Sequence, residues 1–416
     1  MGAEFPGIVR LRCSVKRYEW GKVGEESGVA RLYSSNSGEE IDGDEPFAEF
    51  WMGTHESGPS SVVANCQMRD GGVEREDGFN RNLVSLKDWI LHNPSVLGDK
   101  VFQKWGPNLP FLFKVLSVAK ALSIQAHPDN SLAAILHKQQ PQVYKDDNHK
   151  PEMALALTEF EALCGFVVLE EIKSVLQNVP EITDVVGTAS ANQVLRLSKE
   201  DGEKKRKEVL QSLFTKLMSA SKAVISDAVS KLISRLNMRI KVRGLTEKEE
   251  LVLRLEKQYP GDVGVIASFL FNYVKLKFGE ALYLDNVVRA GLTPKKLDVQ
   301  TLCSILTYKQ GFPEILRGVP SNPYTVKYLP PFDEFEVDQC ILPQGASTVF
   351  PAIPGPSVFL VMKGRGTVRQ AFSEELVGEG DVLFTPANAQ ISVRTTSGLS
   401  LYRAGISSRF FKKQNV

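Results

Sequence analysis

Two short segments of this chain carry side chains that could act together on a small substrate. The first segment, Leu122–Pro128, would place Gln125 and His127 on one face if it were extended, because strand side chains alternate between faces. The second segment, Asn148–Met153, supplies the carboxylate of Glu152 about twenty residues later. An amide oxygen, an imidazole and a carboxylate form an incomplete ligand shell for a divalent metal ion.

Spacing alone leaves two interpretations of these segments open. Zinc sites usually recruit Cys, His, Asp and Glu, and an amide oxygen is a rare ligand. The same residues are therefore compatible with a strand that carries two satisfied polar side chains and is followed by a polar loop. In the metal interpretation, His149 and Lys150 add proton-transfer groups beside Glu152.

Longer blocks of sequence limit this choice. Besides the two segments, the chain contains in order Tyr18–Gly21 (YEWG), Ala48–His55 (AEFWMGTH), Leu109–Ser117 (LPFLFKVLS) and Asp285–Lys295 (DNVVRAGLTPK). In this order, the blocks resemble the signature segments of type I mannose-6-phosphate isomerases (phosphomannose isomerases). The resemblance extends from about Arg10 to the C-terminal strands.

The resemblance implies zinc-dependent interconversion of mannose 6-phosphate and fructose 6-phosphate through an enediol, a reaction that feeds GDP-mannose synthesis. It implies that Gln125, His127 and Glu152 are three ligands of one Zn²⁺ per chain. It also implies a catalytic role for Arg289. Because a guanidinium is not a base at ordinary pH, Arg289 would hold an oxyanion or the phosphate.

The remaining candidates have assigned roles as well. The proton-handling candidates are Asp285, His149 and Lys150. The candidate contacts to substrate phosphate, hydroxyls or ring are Lys114, Ser123, Lys295 and Trp20. The alternatives are that the two lysines are ordinary surface residues and that Trp20 belongs to the core.

One departure from the family pattern affects the candidate metal site. In the family, the strand that is Phe278–Leu284 here continues into a Pro-His-Ala-Tyr segment, whose His is the fourth metal ligand, and then into a further strand. Here Leu284 is joined directly to Asp285, and the last of the five histidines is His149. A skipped exon or a faulty gene model would produce this gap. A catalytically impaired or non-catalytic sugar-phosphate-binding protein is therefore the alternative function.

Composition narrows the classes of partner. With 50 basic and 49 acidic residues, the chain has no long-range field to attract nucleic acid or an anionic membrane. We expect a small phosphosugar as the ligand, no nucleic acid or membrane partner, and a monomer. Five widely spaced cysteines, no hydrophobic run of bilayer length and no N-terminal signal pattern make the cytoplasm the expected location.

The order of elements predicts a fold that is mainly β with an α-helical insertion, built from cupin-like jelly-roll barrels (catalytic and C-terminal) and a helical domain. Residues 1–160 with 275–330 are the expected catalytic barrel, 161–274 the helical domain, and 331–416 a C-terminal barrel that lacks His and so lacks a usual cupin metal site. Helices are predicted over Ser85–His92, Ser131–Lys138, Glu203–Met218, Ser221–Leu236, Thr246–Gln258 and Asp262–Phe271. Strands are predicted over Phe111–Val118, over Val358–Met362 with a tight turn at Gly364–Gly366, and within Glu379–Pro386.

The missing His leads to a prediction about zinc. We expect this chain to retain zinc far less well than a relative that carries the fourth ligand, because an amide oxygen is a poor donor for zinc. The measurement is the metal content of purified protein after dialysis against a mild chelator. Near-stoichiometric zinc would contradict the prediction and would point to a substitute ligand, with His149 and Asp285 the first to test.

Overall fold

A computed structural model describes residues 7–63, 83–124, 138, 151–284, 292, 299–371 and 373–412. The chain divides into two compact units. The first comprises Met1–Ala119 and Gly318–Val416, and the second comprises Lys120–Arg317.

The described strands, in chain order, are β1 (Val9–Arg12), β2 (Ser14–Lys16), β3 (Lys22–Val23), β4 (Pro46–Phe47), β5 (Glu49–Met52), β6 (Ser61–Val62), β7 (Val84–Ser85), β8 (Phe113–Leu116), β9 (Glu152–Leu155), β10 (Phe160–Phe166), β11 (Phe271–Leu276), β12 (Ala281–Leu284), β13 (Val319–Asn322), β14 (Thr325–Tyr328), β15 (Glu336–Leu342), β16 (Ser347–Phe350), β17 (Ser357–Gln370), β18 (Ser373–Gly378), β19 (Val382–Thr385), β20 (Ile391–Arg394) and β21 (Leu399–Gly405).

The described α-helices are α1 (Gly28–Ser37), α2 (Leu86–His92), α3 (Asp99–Trp105), α4 (Leu169–Asn178), α5 (Pro180–Val186), α6 (Thr188–Leu195), α7 (Glu203–Met218), α8 (Lys222–Ile240), α9 (Glu247–Gln258), α10 (Val263–Ala267), α11 (Val299–Ile305) and α12 (Ser408–Lys412). Short 3₁₀ turns occur at Gly24–Glu26, Pro94–Leu97 and Ser268–Leu270. Within the described ranges, no helix is both long and apolar enough to cross a bilayer.

Strands from both ends of the chain share one sheet in the first unit. Its main path is β13-β14-β15-β21-β17-β19-β1-β6-β7. The N-terminal strand β1 lies antiparallel to β19, with Val9 opposite Phe384. Next to this pairing, the Arg10 guanidinium donates to the carboxylates of Glu375 and Asp381 at 3.2 and 2.7 Å. The N-terminal strand is therefore held by backbone pairing and by ion pairs to the C-terminal strands.

The expected tight turn at Gly364–Gly366 is wrong. Strand β17 runs without a break from Ser357 to Gln370. Its register against β21 shifts between Val361 and Lys363, and Gly364 has φ 89°. A Cβ at Gly364 would lie 2.2 Å from the carbonyl oxygen of Gly398. The glycine therefore allows close backbone approach at a bend in one long strand. The predicted strand before Pro386 is confirmed as β19.

The helical block of the second unit follows the predicted apolar stripes. Helix α7 spans the predicted range, and its buried positions include Leu210, Leu213 and Leu217. Helix α8 begins one residue after the predicted start, with Ser221 as its N-cap, and continues past Leu236 to Ile240. The prediction of β-structure interrupted by a helical insertion is thus confirmed.

The predicted helix Asp262–Phe271 is only partly formed. It is helical over Val263–Ala267, continues as a 3₁₀ turn through Leu270, and gives way to strand β11 at Phe271. Strand β11 pairs with β10, and the Asn272 side chain donates to the carbonyl oxygen of Phe166 at 3.1 Å. Sheet pairing thus overrides helical periodicity at this boundary.

A buried carboxylate holds the start of α9. Thr246 and Glu249 form a reciprocal capping box. Glu249 also pairs with Arg239 at 2.9 Å and Arg243 at 2.8 Å, with 8% of its side chain exposed. Burial opposes ionisation of Glu249, but hydrogen bonds from Arg243, the Thr246 backbone and Arg239 outweigh it and lower its pKa to about 2.

We expect Glu249→Gln to cost the helical unit about 3 kcal/mol at pH 7, since lowering the pKa of a carboxyl from near 4.5 to about 2 is linked to stability of that order. The contribution is present above the unfolded-state pKa near 4.5 and is lost as the pH falls towards 2. The difference between variant and wild type should therefore shrink on acidification.

Urea unfolding followed by helical circular dichroism at pH 7 and pH 3 measures both differences. Glu250→Gln, an exposed change in the same helical turn, is the matched control and should stay within about 0.5–1 kcal/mol of wild type. A constant gap between Glu249→Gln and wild type at both pH values would contradict the electrostatic origin.

Candidate functional site

Three of the sequence blocks meet in the first unit. In the YEWG block, the Gly21 N–H donates to the Tyr18 carbonyl at 2.9 Å. A Cβ at Gly21 would lie 2.7 Å from the Cα of Ala48, which opens the second block. The Trp20 carbonyl accepts from the N–H of Ala119 at 2.9 Å, just beyond the third block. The glycine is therefore required by close backbone packing, and the three blocks form one local assembly.

Trp20 is neither fully buried nor fully exposed. Its indole lies 5.9 Å from the Tyr18 ring, centroid to centroid. Trp20 is therefore not a fully buried core residue.

Lys114 belongs to a small charged cluster on the sheet β2-β5-β8. It lies directly opposite Trp51 in the register of β5 and β8. Its ammonium is 3.4 Å from the Glu49 carboxylate and 5.2 Å from the centroid of the Trp51 ring. The Trp51 Nε1–H donates to the same Glu49 oxygen at 2.6 Å. One buried carboxylate therefore joins the indole and the ammonium, and Lys114 is not an isolated surface lysine.

Two further groups surround Trp51. The Lys16 ammonium lies 4.6 Å from the ring centroid. The His55 ring meets the indole edge to face at 5.1 Å. Cation–π attraction and the Glu49 hydrogen bond together fix the indole plane. The Lys114 side chain is 30% exposed and can contact an anion while its position is fixed.

Ser123 lies in the second unit, in a segment anchored to the helices. The Ala121 N–H donates to the side chain of Gln258 at 2.9 Å, and the Tyr259 hydroxyl donates to the Ala121 carbonyl at 2.5 Å. Ile124 packs against the helical core. Residues 121–124 belong to no helix or strand. The extended interpretation of Leu122–Pro128 is therefore not confirmed over its described part.

Glu152 begins strand β9, which pairs antiparallel with β12. The register places Leu284 directly opposite Glu152, and Tyr283 opposite Met153. Glu152 is partly buried. The residue that resemblance assigns as a metal ligand is thus paired with the last residue before the sequence junction Leu284–Asp285.

Most of the candidate site lies outside the described residues. These candidates are Gln125, His127, His149, Lys150, Asp285, Arg289 and Lys295. The predicted helix Ser131–Lys138 also falls outside them, except for Lys138. Among the residues that the structure does describe, no three His, Cys, Asp or Glu side chains are grouped so that they could hold a metal.

Sequence reasoning missed Glu49 and Trp51 as individual residues. A signal for them was present, since Glu49 and Trp51 are two residues apart in a strand and so share a face. What the sequence does not contain is the pairing of β5 with β8, which brings Lys114 to that face.

Family models match three parts of the chain. They are described as phosphomannose isomerase type I catalytic domain (residues 8–169), helical insertion domain (182–271) and C-terminal region (326–370). Mannose-6-phosphate isomerase 2 of Arabidopsis thaliana is 56% identical, covering 97% of this chain and 95% of its own length. The human mannose-6-phosphate isomerase is 37% identical and covers 96% of this chain and 98% of its own length.

Solved structures agree with these matches. A mutant of phosphomannose isomerase from Salmonella typhimurium superposes with a TM-score of 0.78 at 26% identity, covering 97% of this chain and all of its own. A mannose 6-phosphate isomerase bound with zinc and yttrium gives 0.77 at 25% identity, with the same coverage. The cupin-like fold class expected from the sequence is confirmed by these neighbours. The chain belongs to the type I phosphomannose isomerase family.

Proposed function

We propose that this chain interconverts mannose 6-phosphate and fructose 6-phosphate through a metal-assisted enediol mechanism. The observation that carries the proposal is the 56% identity to a mannose-6-phosphate isomerase over 97% of the chain. The similarity reaches both units and is not restricted to one shared fold element. In this role, the chain would act in the cytoplasm as a monomer and supply GDP-mannose synthesis.

The reaction moves a proton between two adjacent carbons and develops negative charge on their oxygens. A base must remove the C–H proton, and His149, Lys150 and Asp285 are the proposed proton-handling groups. Arg289 would stabilise an oxyanion or hold the phosphate, because its guanidinium stays charged. Binding the remote phosphate orients the reacting carbons and so lowers the barrier.

Substrate-binding roles go to Lys114, Ser123, Lys295 and Trp20. The contacts of Lys114 support its role, since Glu49 and Trp51 hold its ammonium while part of its side chain stays exposed. A preorganised cation loses less conformational entropy when it binds an anion. The partly exposed indole of Trp20 is suited to wall an apolar face of a sugar ring.

The donor set fits a divalent ion, but only weakly. Gln125, His127 and Glu152 offer one neutral oxygen, one nitrogen and one carboxylate, which satisfies a three-ligand catalytic site with an open position. A zinc ion held there would polarise the substrate oxygens as a Lewis acid. The absence of a fourth protein ligand would weaken its binding.

The pairing of β9 with β12 places the Leu284–Asp285 junction next to a candidate zinc ligand, Glu152. Leu284 is the cross-strand partner of Glu152, so any segment that follows Leu284 begins next to the carboxylate.

The alignment with the Arabidopsis relative is 426 positions long, longer than this chain of 416 residues. At some positions, therefore, the relative has residues that this chain lacks. None of the three family-model matches covers residues 272–325.

The three-part domain division also remains our proposal. The family models for the catalytic, helical and C-terminal parts fall within or near 1–160, 161–274 and 331–416. The C-terminal part would then serve structure and not catalysis, in keeping with its lack of His.

We predict that isomerisation by this chain is slow, and that inserting the family's strand–turn–strand segment between Leu284 and Asp285 raises its rate. Displacing a catalytic group by about 1 Å can cost roughly a hundredfold in rate, and the insertion changes the chain between Glu152's partner and Arg289. A coupled assay following fructose 6-phosphate formed from mannose 6-phosphate measures the rates. Equal turnover with and without the segment would show that the fourth ligand is dispensable.

In the chain with the segment restored, Glu49→Gln should raise KM for mannose 6-phosphate roughly tenfold while kcat changes much less. The amide keeps an acceptor for the Trp51 Nε1–H but removes the charge that holds Lys114. Glu45→Gln, which removes an exposed carboxylate paired with Arg17, is the control and should leave both constants unchanged. A fall confined to kcat would contradict a role in positioning Lys114.

A further inference from the structure

A polar cavity lies on the C-terminal strands of the first unit. It has a volume of about 600 Å³ and is open to solvent. Its lining includes Ser347, Thr367, Arg369, Gln370, Ser392 and Arg394. None of the candidate active-site residues lines it.

The strand register explains why polar side chains gather there. Ser347 lies opposite Arg394, which lies opposite Thr367. In the next row, Ser392 lies opposite Arg369. Directly opposed residues share a face of an antiparallel sheet.

The other face of the same strands is apolar. The alternating neighbours Phe350, Val368, Ile391 and Val393 are buried in one hydrophobic cluster. Because that core fixes which face points inwards, the polar rows must point outwards. The arginines are thus held on a packed sheet and not on a mobile loop.

The cavity carries a positive balance. Its ionisable lining groups are Arg369, Arg394 and Glu374. Arg394 pairs with Glu374 at 2.8 Å, whereas Arg369, among the residues that the structure describes, donates from Nε to the Ala371 carbonyl at 3.0 Å. The guanidinium nitrogens of Arg369 are therefore available for an anion, and Arg394 can exchange an exposed carboxylate for a phosphate.

We propose that this cavity is a second binding site, distinct from the isomerase site, for a sugar phosphate. The phosphate is held by Arg369 and Arg394, and the sugar hydroxyls by hydroxyl side chains such as Ser392. The volume is within the usual range for small-molecule sites. The described lining contains no aromatic side chain on which a nucleotide base would stack, so a sugar phosphate is favoured over a nucleotide.

Isothermal titration of the full chain with glucose 1-phosphate, at low ionic strength, tests the site. The Arg369→Met/Arg394→Met double variant should weaken binding at least about tenfold, because charge-assisted hydrogen bonds are lost. Arg365→Met is the matched control, since Arg365 is exposed on the same strand and face but outside the lining. Equal weakening by the control, or no weakening by the double variant, overturns the proposal.

Inorganic phosphate tests the sugar component. It should bind more weakly than glucose 1-phosphate to the wild type, because it makes no hydroxyl contacts. Equal affinity would overturn the sugar component and leave a simple anion site.

Discussion

The pairing of β9 with β12 is the constraint on which the candidate metal site depends. It fixes Glu152 opposite Leu284. One hydrogen-bond ladder therefore positions both the strand that carries the carboxylate and the point from which the chain continues after Leu284. In an antiparallel ladder, a slip of one residue would turn Glu152 to the opposite face. Backbone pairing therefore determines where Glu152 lies, and any insertion or deletion after Leu284 begins directly beside it.

In the first unit, the burial of Glu49 determines how the charged groups around it are arranged. Glu49 is buried, and burying a lone carboxylate is costly unless it is hydrogen-bonded and paired. Trp51 and Lys114 provide both compensations. The result couples stability to function, because the contacts that allow Glu49 to be buried also determine where the Lys114 ammonium stands. The same strand pairing thus serves the core and the proposed substrate contact.

The sequence predicted those elements whose pattern is local. Helix α7 matches its predicted range, and α9 differs from the predicted range Thr246–Gln258 only in that Thr246 is its N-cap. Predictions failed where non-local pairing decides the outcome. At Phe271, pairing with β10 ends a helical pattern, and at Gly364 a glycine that suggested a turn allows a long strand to bend against β21. The sequence did not reveal that Glu49 and Trp51 contact Lys114, because the pairing of β5 with β8 brings them together.

The chain is fixed on both sides of the candidate residues Asp285 and Arg289. Leu284 lies opposite Glu152 in the pairing of β9 with β12. Leu292 is buried, and its N–H donates to the Asp262 carboxylate at 2.7 Å. Asp262 also receives the N–H of Gly264 at 2.6 Å and so belongs to the start of α10. Because neither anchor can shift without breaking these hydrogen bonds, we expect an altered chain length after Leu284 to affect the proposed placement of Asp285 and Arg289 more than global stability.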